Sequence, residues 1–423
     1  MNKTRNKRIV LLVPSFPKTS ETFIVSKFLG LLERGWDVHL VCIESDSKEW
    51  AKFPVLDADP TLRERVHRAW PTTPKWLAVT LWLPALIRGL VLDPSSTWRY
   101  LVKGCETLGW KVFKHYYIDL EVVILQPDVV HFEFGALAVG KTYLKELLGS
   151  KLTVSFRGYD LNFSGLDQPA YYEKVWQQVD ACHFLGQDLW KRALRRGCPP
   201  DMTYQLIPPA IDLSLFHPDG SQKYDSLGTP DNPLRILSVG RLEWKKGYEF
   251  ALQAIRILVD HGVSVEYQII GEGGHSNALY FARHQLDLDD DVVFYGSLPS
   301  HEVIKHLERA DIFLHSAVSE GFCNAVLEAQ AMGIPIVSTD ADGLAENVAD
   351  GVTGFVVARR DPQAIAEKLM LLAKNPSLRR TMGTAGRKRV QSHFQLENQL
   401  RDFESFYEMV LAEHQGKGGF TEL

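Results

Sequence analysis

Glu320 and Glu328 stand eight positions apart in the stretch Ser319-Glu320-Gly321-Phe322-Cys323-Asn324-Ala325-Val326-Leu327-Glu328-Ala329. The pattern predicts a loop carrying Glu320 and a helix carrying Glu328 about one turn inside it. Gly321 between them allows close backbone approach to a ligand, and the open N–H groups of a helix start bind hydroxyls or anions. About eighty residues upstream, Gly240-Arg241 and Lys246-Gly247 put two cations in another loop. Carboxylates for hydroxyls, beside cations and amides for phosphate, suit a ligand that carries both, such as a nucleotide sugar. When a sugar leaves its diphosphate, negative charge grows on the phosphate and has to be neutralised. Arg241 and Lys246 supply that charge, as the P-loop lysine does for other phosphates. Taken alone, two glutamates at this distance are common, and Arg241, Lys245 and Lys246 form an ordinary solvated turn. The combination is what gives the pattern content.

These side chains need rigid elements. Ile312-Phe313-Leu314 reads as a buried strand, the helix ends at Gly333, and Ile334–Ser338 is the next strand. At the N-terminus, strand Arg8–Val13, a helix running to Gly35 and strand Trp36–Ile43 form a β-α-β opening. Its turn has no G-x-G-x-x-G, which disfavours a nicotinamide or flavin site. It offers Ser20, Glu21 and Thr22 instead, either as simple helix caps or as groups facing an acceptor. Val129–His131 ends in His131-Phe132-Glu133, and Leu152–Phe156 ends in Arg157-Gly158-Tyr159-Asp160. Ligands of open α/β sheets gather at such carboxyl ends. Arg157 there is an anion clamp rather than a base. Ala181–Leu185 and Gln205–Ile207 complete the first half.

Residues 218–233, rich in Gly, Ser, Pro and Asp, read as a linker. A second α/β half follows with strand Arg235–Val239, helix Tyr248–His261, strand Ser264–Ile270 ending in Gly271-Glu272-Gly273, and strand Val292–Tyr295. The predicted fold class is α/β, with two doubly wound Rossmann-like domains facing a cleft. Residues 1–217 form the first domain, with a helical insertion at 44–118, and 234–394 form the second. The last segment, 395–423, carries a helix returning to the first.

A chain of 423 residues is long enough for two cores. The net charge of −5 argues against nucleic acid as a partner. Cys42, Cys105, Cys182, Cys198 and Cys323 lie too far apart for a zinc motif or a disulfide framework, so reduced thiols and a cytoplasmic location are expected. The apolar run after the basic N-terminus is cut short by Pro14 and reads as a strand rather than a leader. The insertion differs from the rest of the chain. Between Thr61 and His115, nine Lys/Arg face three Asp/Glu, and Trp76 to Ile87 is uncharged over twelve residues. Such a run is too short to span a bilayer; it suits either helices covering the sheet or attachment to an anionic membrane surface.

The Glu320/Glu328 spacing and the Gly240-Arg241…Lys246-Gly247 stretch resemble the E-x7-E and G-R-x(4)-K-G signatures of family-4 retaining glycosyltransferases. Gly343 to Glu346 and Asp350 to Gly354 resemble that family's pattern too. Phe16-Pro17…Ser20-Glu21-Thr22-Phe23 is similar to its branch that builds exopolysaccharides, including colanic-acid-type polymers. The resemblance implies a B-type fold, a UDP- or GDP-sugar donor, a glycan or lipid-linked acceptor, retention of configuration, and no metal or organic cofactor. It gives catalytic roles to Arg241, Lys246, Glu320 and His131. Donor binding falls to Gly240, Gly271, Gly273, Gly321, Phe322, Cys323, Asn324 and Glu328, and the acceptor side to Ser20, Glu21, Thr22, Glu133, Arg157 and Asp160. Two departures stand out. Cys323 replaces the family's usual proline, which implies a looser turn, and Glu133 replaces the second histidine of H-x-H-F-G.

A metal-dependent transferase of the A-type would use a D-x-D motif. Asp57-Ala58-Asp59, Asp287-Leu288-Asp289 and Asp340-Ala341-Asp342 have that form but read as turns. Two other classes remain open. An epimerase of the same fold would yield product without an acceptor, and a non-catalytic nucleotide-sugar-binding partner subunit would have no need of Glu320.

Overall fold

The computed structural model describes residues 7–218 and 227–412; half of the expected linker, 219–226, and the segment 413–423 lie outside the described residues. Two compact units are present, one of residues 7–184, 190–207 and 400–412, the other of 185–189, 208–218 and 227–399. Residues 208–217, expected with the first domain, group with the second unit.

The first unit is a seven-stranded parallel sheet of β1 (Arg8–Ser15), β2 (Asp37–Glu44), β3 (Val66–Arg68), β4 (Val129–Phe132), β5 (Lys151–Phe156), β6 (Ala181–Phe184) and β7 (Tyr204–Leu206), in the order β3-β2-β1-β4-β5-β6-β7. Its central strands are buried on both faces, which is why β1 and β4 read as apolar runs without alternation. Helix α1 (Thr22–Glu33) covers one face with Ile24, Val25, Phe28 and Leu31, at the spacing of a single helical stripe. The insertion folds into helices, including α2 (Lys75–Leu92), α3 (Pro94–Leu108) and α4 (Val112–Leu125). The helix outruns the uncharged stretch: it begins at Lys75 and continues through Pro84 and past Arg88 to Leu92, so α2 has 18 residues and is, by length and composition, long and apolar enough to cross a membrane.

The second unit has six parallel strands: β8 (Leu234–Val239), β9 (Val265–Ile270), β10 (Val292–Phe294), β11 (Ile312–His315), β12 (Ile336–Thr339) and β13 (Gly354–Val357), in the order β10-β9-β8-β11-β12-β13. Helix α5 (Tyr248–Asp260) packs Ala251, Leu252, Ile255 and Leu258 over β8 and β9, and α6 (Asn324–Ala331) lies against the opposite face. Strand order reverses between β8 and β11, whose pairing aligns Ile312 with Ile236 and Phe313 with Leu237. This register brings the loop after β8 and the loop after β11 out side by side at the switch point of the sheet, the place where open α/β sheets bind ligands. A final helix, α7 (Leu396–Ala412), gives the first core Phe403, Phe406, Tyr407 and Val410. All five cysteines are free thiols, and only Cys105 is exposed.

Candidate functional site

The loop after β9 runs so close to the loop after β8 that Gly271, at φ 144°, lies against the Gly240 carbonyl and Gly273 against that of Leu242; side chains at these positions would collide with backbone. The Tyr248 hydroxyl donates to the Gly240 carbonyl at 3.0 Å. A one-turn 3₁₀ helix, Trp244–Lys246, then delivers Lys246 next to the β11 loop, where the Ser316 hydroxyl donates to the Lys246 carbonyl at 3.2 Å. Val318 N–H reaches the Lys245 carbonyl at 2.8 Å, so the two loops are tied through backbone.

Lys246 Nζ donates to Glu320 Oε2 in a close ion pair, both side chains being largely buried. His315, at the end of β11, brings Nε2 within 3.4 Å of the same carboxylate oxygen, and its Nδ1 lies 3.9 Å from Cys323 Sγ. These groups set one another's charge. Burial opposes the Glu320 carboxylate, but Lys246 and the His315 bond outweigh it and hold its pKa well below the ordinary range. Burial likewise disfavours the Lys246 ammonium, and Glu320 more than compensates, leaving its pKa raised. The Cys323 thiol, also opposed by burial, is lowered by His315 and then Lys246. Glu328, one turn into α6, has no such partner, and burial alone pushes its carboxyl up to about 7.

Helix α6 begins without a side-chain cap from Cys323. Its first turn therefore presents N–H groups and positive dipole to whatever occupies the loop. The turn is not loose, contrary to expectation. The buried Asn347 side chain clamps Cys323 from both sides, Nδ2 donating to its carbonyl at 2.9 Å and Oδ1 accepting from its N–H at 3.2 Å. An amide on a neighbouring segment thus supplies the restraint a proline would give. The helix ends as read, at Gly333 in the left-handed region with φ 77°.

Lys246, Glu320, Gly321, Cys323 and Gly240 converge here. Arg241 belongs to the same loop, but its guanidinium is 63% exposed and pairs with Glu243 at 2.7 Å rather than with Glu320. The Phe322 ring turns towards Phe394, 5.9 Å away, and Asn324 is partly exposed at the helix start. Sequence reasoning passed over His315, Tyr248 and Asn347. His315 carries the signal that drew attention to His131, a histidine at the carboxyl end of a central strand.

Among the described residues, ligand-like spacing for a metal occurs at His315, Glu320 and Cys323, whose ligand atoms lie within 4.8 Å of one another. The Lys246 ammonium already occupies Glu320 there. The D-x-D candidates are engaged in structure: Arg359 pairs with Asp340 at 3.1 Å and Asp342 at 3.0 Å. Asp289 pairs with Arg283 and Asp57 with Arg63, while Asp59 caps a short helix.

In the first unit three expectations need correction. His131 is fully buried, with Nδ1 2.8 Å from Thr153 Oγ1, Nε2 2.9 Å from Ser155 Oγ, and its ring against Phe403 and Tyr407. Burial, then Lys27 and His183, drive its pKa well below the histidine range. In this structure it is a neutral histidine packed in the core of the first unit. Glu133 is equally buried between Lys27 at 2.7 Å and Arg157 at 2.9 Å, so it is a counter-ion to two cations rather than an acceptor group. Asp160 is buried too and accepts from the N–H groups of Arg157 at 2.9 Å and Ala136 at 3.0 Å, bracing two loops. Arg157 keeps some exposure, with its guanidinium 3.8 Å above the Phe23 ring. Glu21 pairs with Lys18 at 3.1 Å and Thr22 opens α1. Ser20 lies in the preceding 3₁₀ turn, its side chain outside what is described.

Residues 221–389 match the family described as Glycosyl transferases group 1. The chain is 30% identical over 394 residues to the putative colanic acid biosynthesis glycosyltransferase WcaL of Salmonella typhimurium, covering 86% of this chain and 89% of that one. It is 28% identical over 409 residues to the amylovoran biosynthesis glycosyltransferase AmsK of Erwinia amylovora, covering 92% and 96%. Among solved structures it resembles Anabaena HepE in complex with UDP and glucose, with a TM-score of 0.71 at 14% identity over 96% of this chain and all of that one.

Proposed function

Because the chain belongs to the group 1 glycosyltransferases, with the two parallel-sheet α/β domains of the B-type fold, we propose that it transfers a hexose from a nucleotide-diphosphate sugar to a glycan or lipid-linked acceptor. Retention of configuration and independence of metal are part of this reading, as is a role in assembling an exopolysaccharide, in keeping with the relatives named for colanic acid and amylovoran. The second unit takes the donor and the first the acceptor. The reaction belongs in the cytoplasm.

The observation that carries the proposal is the Lys246–Glu320 pair at the switch point, next to the uncapped start of α6. A donor diphosphate between Lys246 and the first N–H groups of α6 has its growing charge met by an ammonium and a helix dipole, already oriented before the bond breaks. Arg241, largely exposed in the same loop, closes on the phosphates from its open side. Glu320, kept ionised by Lys246 and His315, faces the sugar hydroxyls and the positive charge developing at the anomeric carbon. Glu328, deeper along the helix, accepts from ribose hydroxyls. As the phosphate leaves, its oxygen takes the proton of the acceptor hydroxyl attacking from the same side.

Thermal-shift titration with UDP-glucose and GDP-mannose, followed by turnover with an isolated lipid-linked glycan acceptor, tests the reading. Stabilisation by one nucleotide series and release of its diphosphate only with acceptor are expected, with activity surviving EDTA. A changed sugar appearing without acceptor would assign an epimerase. Loss with EDTA, restored by Mn²⁺, would overturn metal independence.

A further inference from the structure

Helix α2 carries a face that no described residue of its own unit covers. Trp76, Val79, Leu83, Ile87, Leu90 and Val91 follow one another at helical spacing, and Trp76, Val79 and Val91 are 67%, 76% and 74% exposed. Only 11% of this 18-residue apolar helix is buried. Helices apolar all round are normally packed on every side or lie in lipid, and a contiguous apolar patch of this kind on a soluble domain marks an interaction surface.

The opposite face is locked. Ala85 and Gly89 are buried, a side chain at Gly89 would run into the Tyr116 hydroxyl of α4, and Trp82 Nε1 donates to the Phe113 carbonyl at 2.9 Å. The helix is therefore fixed lengthwise against the unit, with its outer stripe presented to the surroundings.

Charge identifies the occupant. Three exposed tryptophans of this region each adjoin a cation: Lys75 precedes Trp76, Arg99 follows Trp98, and Lys111 follows Trp110, the latter two rings being 68% and 87% exposed. An indole beside a cation is the pairing that settles at a lipid–water boundary, the ring among the glycerol groups and the charge on anionic headgroups. A second copy of the chain would bring the same cations against each other.

We propose that α2 lies flat in the interface of an anionic membrane, its Trp76–Val91 stripe inserted among the acyl chains and Lys75, Arg99 and Lys111 resting on headgroups. The basic residues earlier in the insertion contribute less, since Arg63 and Arg65 are engaged by Asp57 and Asp37. A lipid-linked acceptor would then be met at the surface where it resides. The proposal stands on this helical insertion and does not require the donor reading.

Flotation of the full chain with phosphatidylcholine vesicles, with and without phosphatidylglycerol, tests it. Wild type is expected to float with anionic vesicles, reversibly and less so in high salt. Leu83→Asp with Ile87→Asp, both at exposed positions, should abolish flotation. Lys75→Glu with Arg99→Glu and Lys111→Glu should weaken it at least about tenfold, given roughly 1 kcal/mol per cation near an anionic surface. An unchanged thermal midpoint and unchanged nucleotide binding in both variants would separate this result from a folding defect or a failure of the donor site. Wild type that stays in solution with anionic vesicles, or the Leu83/Ile87 variant floating like wild type, overturns the proposal. So do retention in membranes after alkaline carbonate, which indicates a spanning helix, and a dimer dispersed by the Leu83/Ile87 pair in the absence of vesicles.

Discussion

Lys246 and Glu320 are 74 residues apart in sequence and form a close ion pair in space. The loops that carry them follow adjacent strands of one parallel sheet. Burial disfavours the charged form of both, and each supports the charge of the other. In the proposed reaction the donor diphosphate meets this pair, which separates the roles of the two cations of the loop.

Lys246→Ala is expected to lower both turnover and stability, and Arg241→Ala turnover alone. Losing a cation opposite the leaving phosphate costs about 2–4 kcal/mol by comparison with oxyanion donors, or roughly 30- to 900-fold in rate. Removing Lys246 also strands the buried Glu320, a penalty on the order of 3 kcal/mol. Arg241 is mostly solvated, so its fold contribution is near zero. Steady-state kinetics and urea unfolding of the two variants check this; turnover within threefold of wild type in both would remove them from the reaction.

Glu320→Gln is expected to depress turnover while leaving nucleotide affinity nearly unchanged, and Glu328→Gln to do the reverse. Glu320 shares its charge with Lys246 and His315 in the loop, whereas Glu328 stands apart inside α6. Isothermal titration with the nucleotide diphosphate beside kinetics with the sugar nucleotide distinguishes them. Equal nucleotide affinity in wild type and Glu328→Gln would end the division of labour.

Stability should fall as pH rises across the range set by Glu328. Its carboxyl titrates near 4.5 when unfolded and about 7 when buried, so the folded state holds the proton longer. Below 4.5 both states are protonated and the group has no effect. Between 4.5 and about 7 the unfolded state ionises first, and stability declines with pH. Glu328→Gln should flatten that part of the profile and unfold later than wild type near neutrality. Parallel profiles for the two proteins would place Glu328 in water.

Asn347→Ala should destabilise the second unit by about 1–3 kcal/mol, because it deletes two hydrogen bonds and leaves the Cys323 N–H buried and unpaired, while the Cys323 carbonyl keeps its 3.4 Å bond from the Leu327 N–H. Nucleotide binding should weaken with it, as the start of α6 loses its anchor. Denaturant unfolding measures the first effect; a change below about 0.5 kcal/mol would mean the clamp is not what holds the turn.

Amino-acid order settled what depends on local pattern. Both sheets announced themselves through apolar runs buried on both faces, and α6 through its spacing and its stop at Gly333. The cation pair and the carboxylate pair were legible because each lies within one loop or one loop and helix. Contacts between distant segments were out of reach. Which cation meets Glu320 follows from the β8–β11 register, a pairing of strands some 75 residues apart. That Asn347 holds Cys323 follows from the segment after β12 packing against the start of α6, and that His315 joins the site follows from the way the loop after β11 folds Glu320 and Cys323 back onto the strand end. His131 was misjudged for a related reason. Its place at a strand end is visible in sequence, but whether a strand-end side chain faces ligand or core depends on what packs there, and Phe403 and Tyr407 arrive from the far end of the chain. The exposure of α2 belongs to the same class, because composition makes a helix apolar while only the packing of α3 and α4 along one side of it leaves the other side bare.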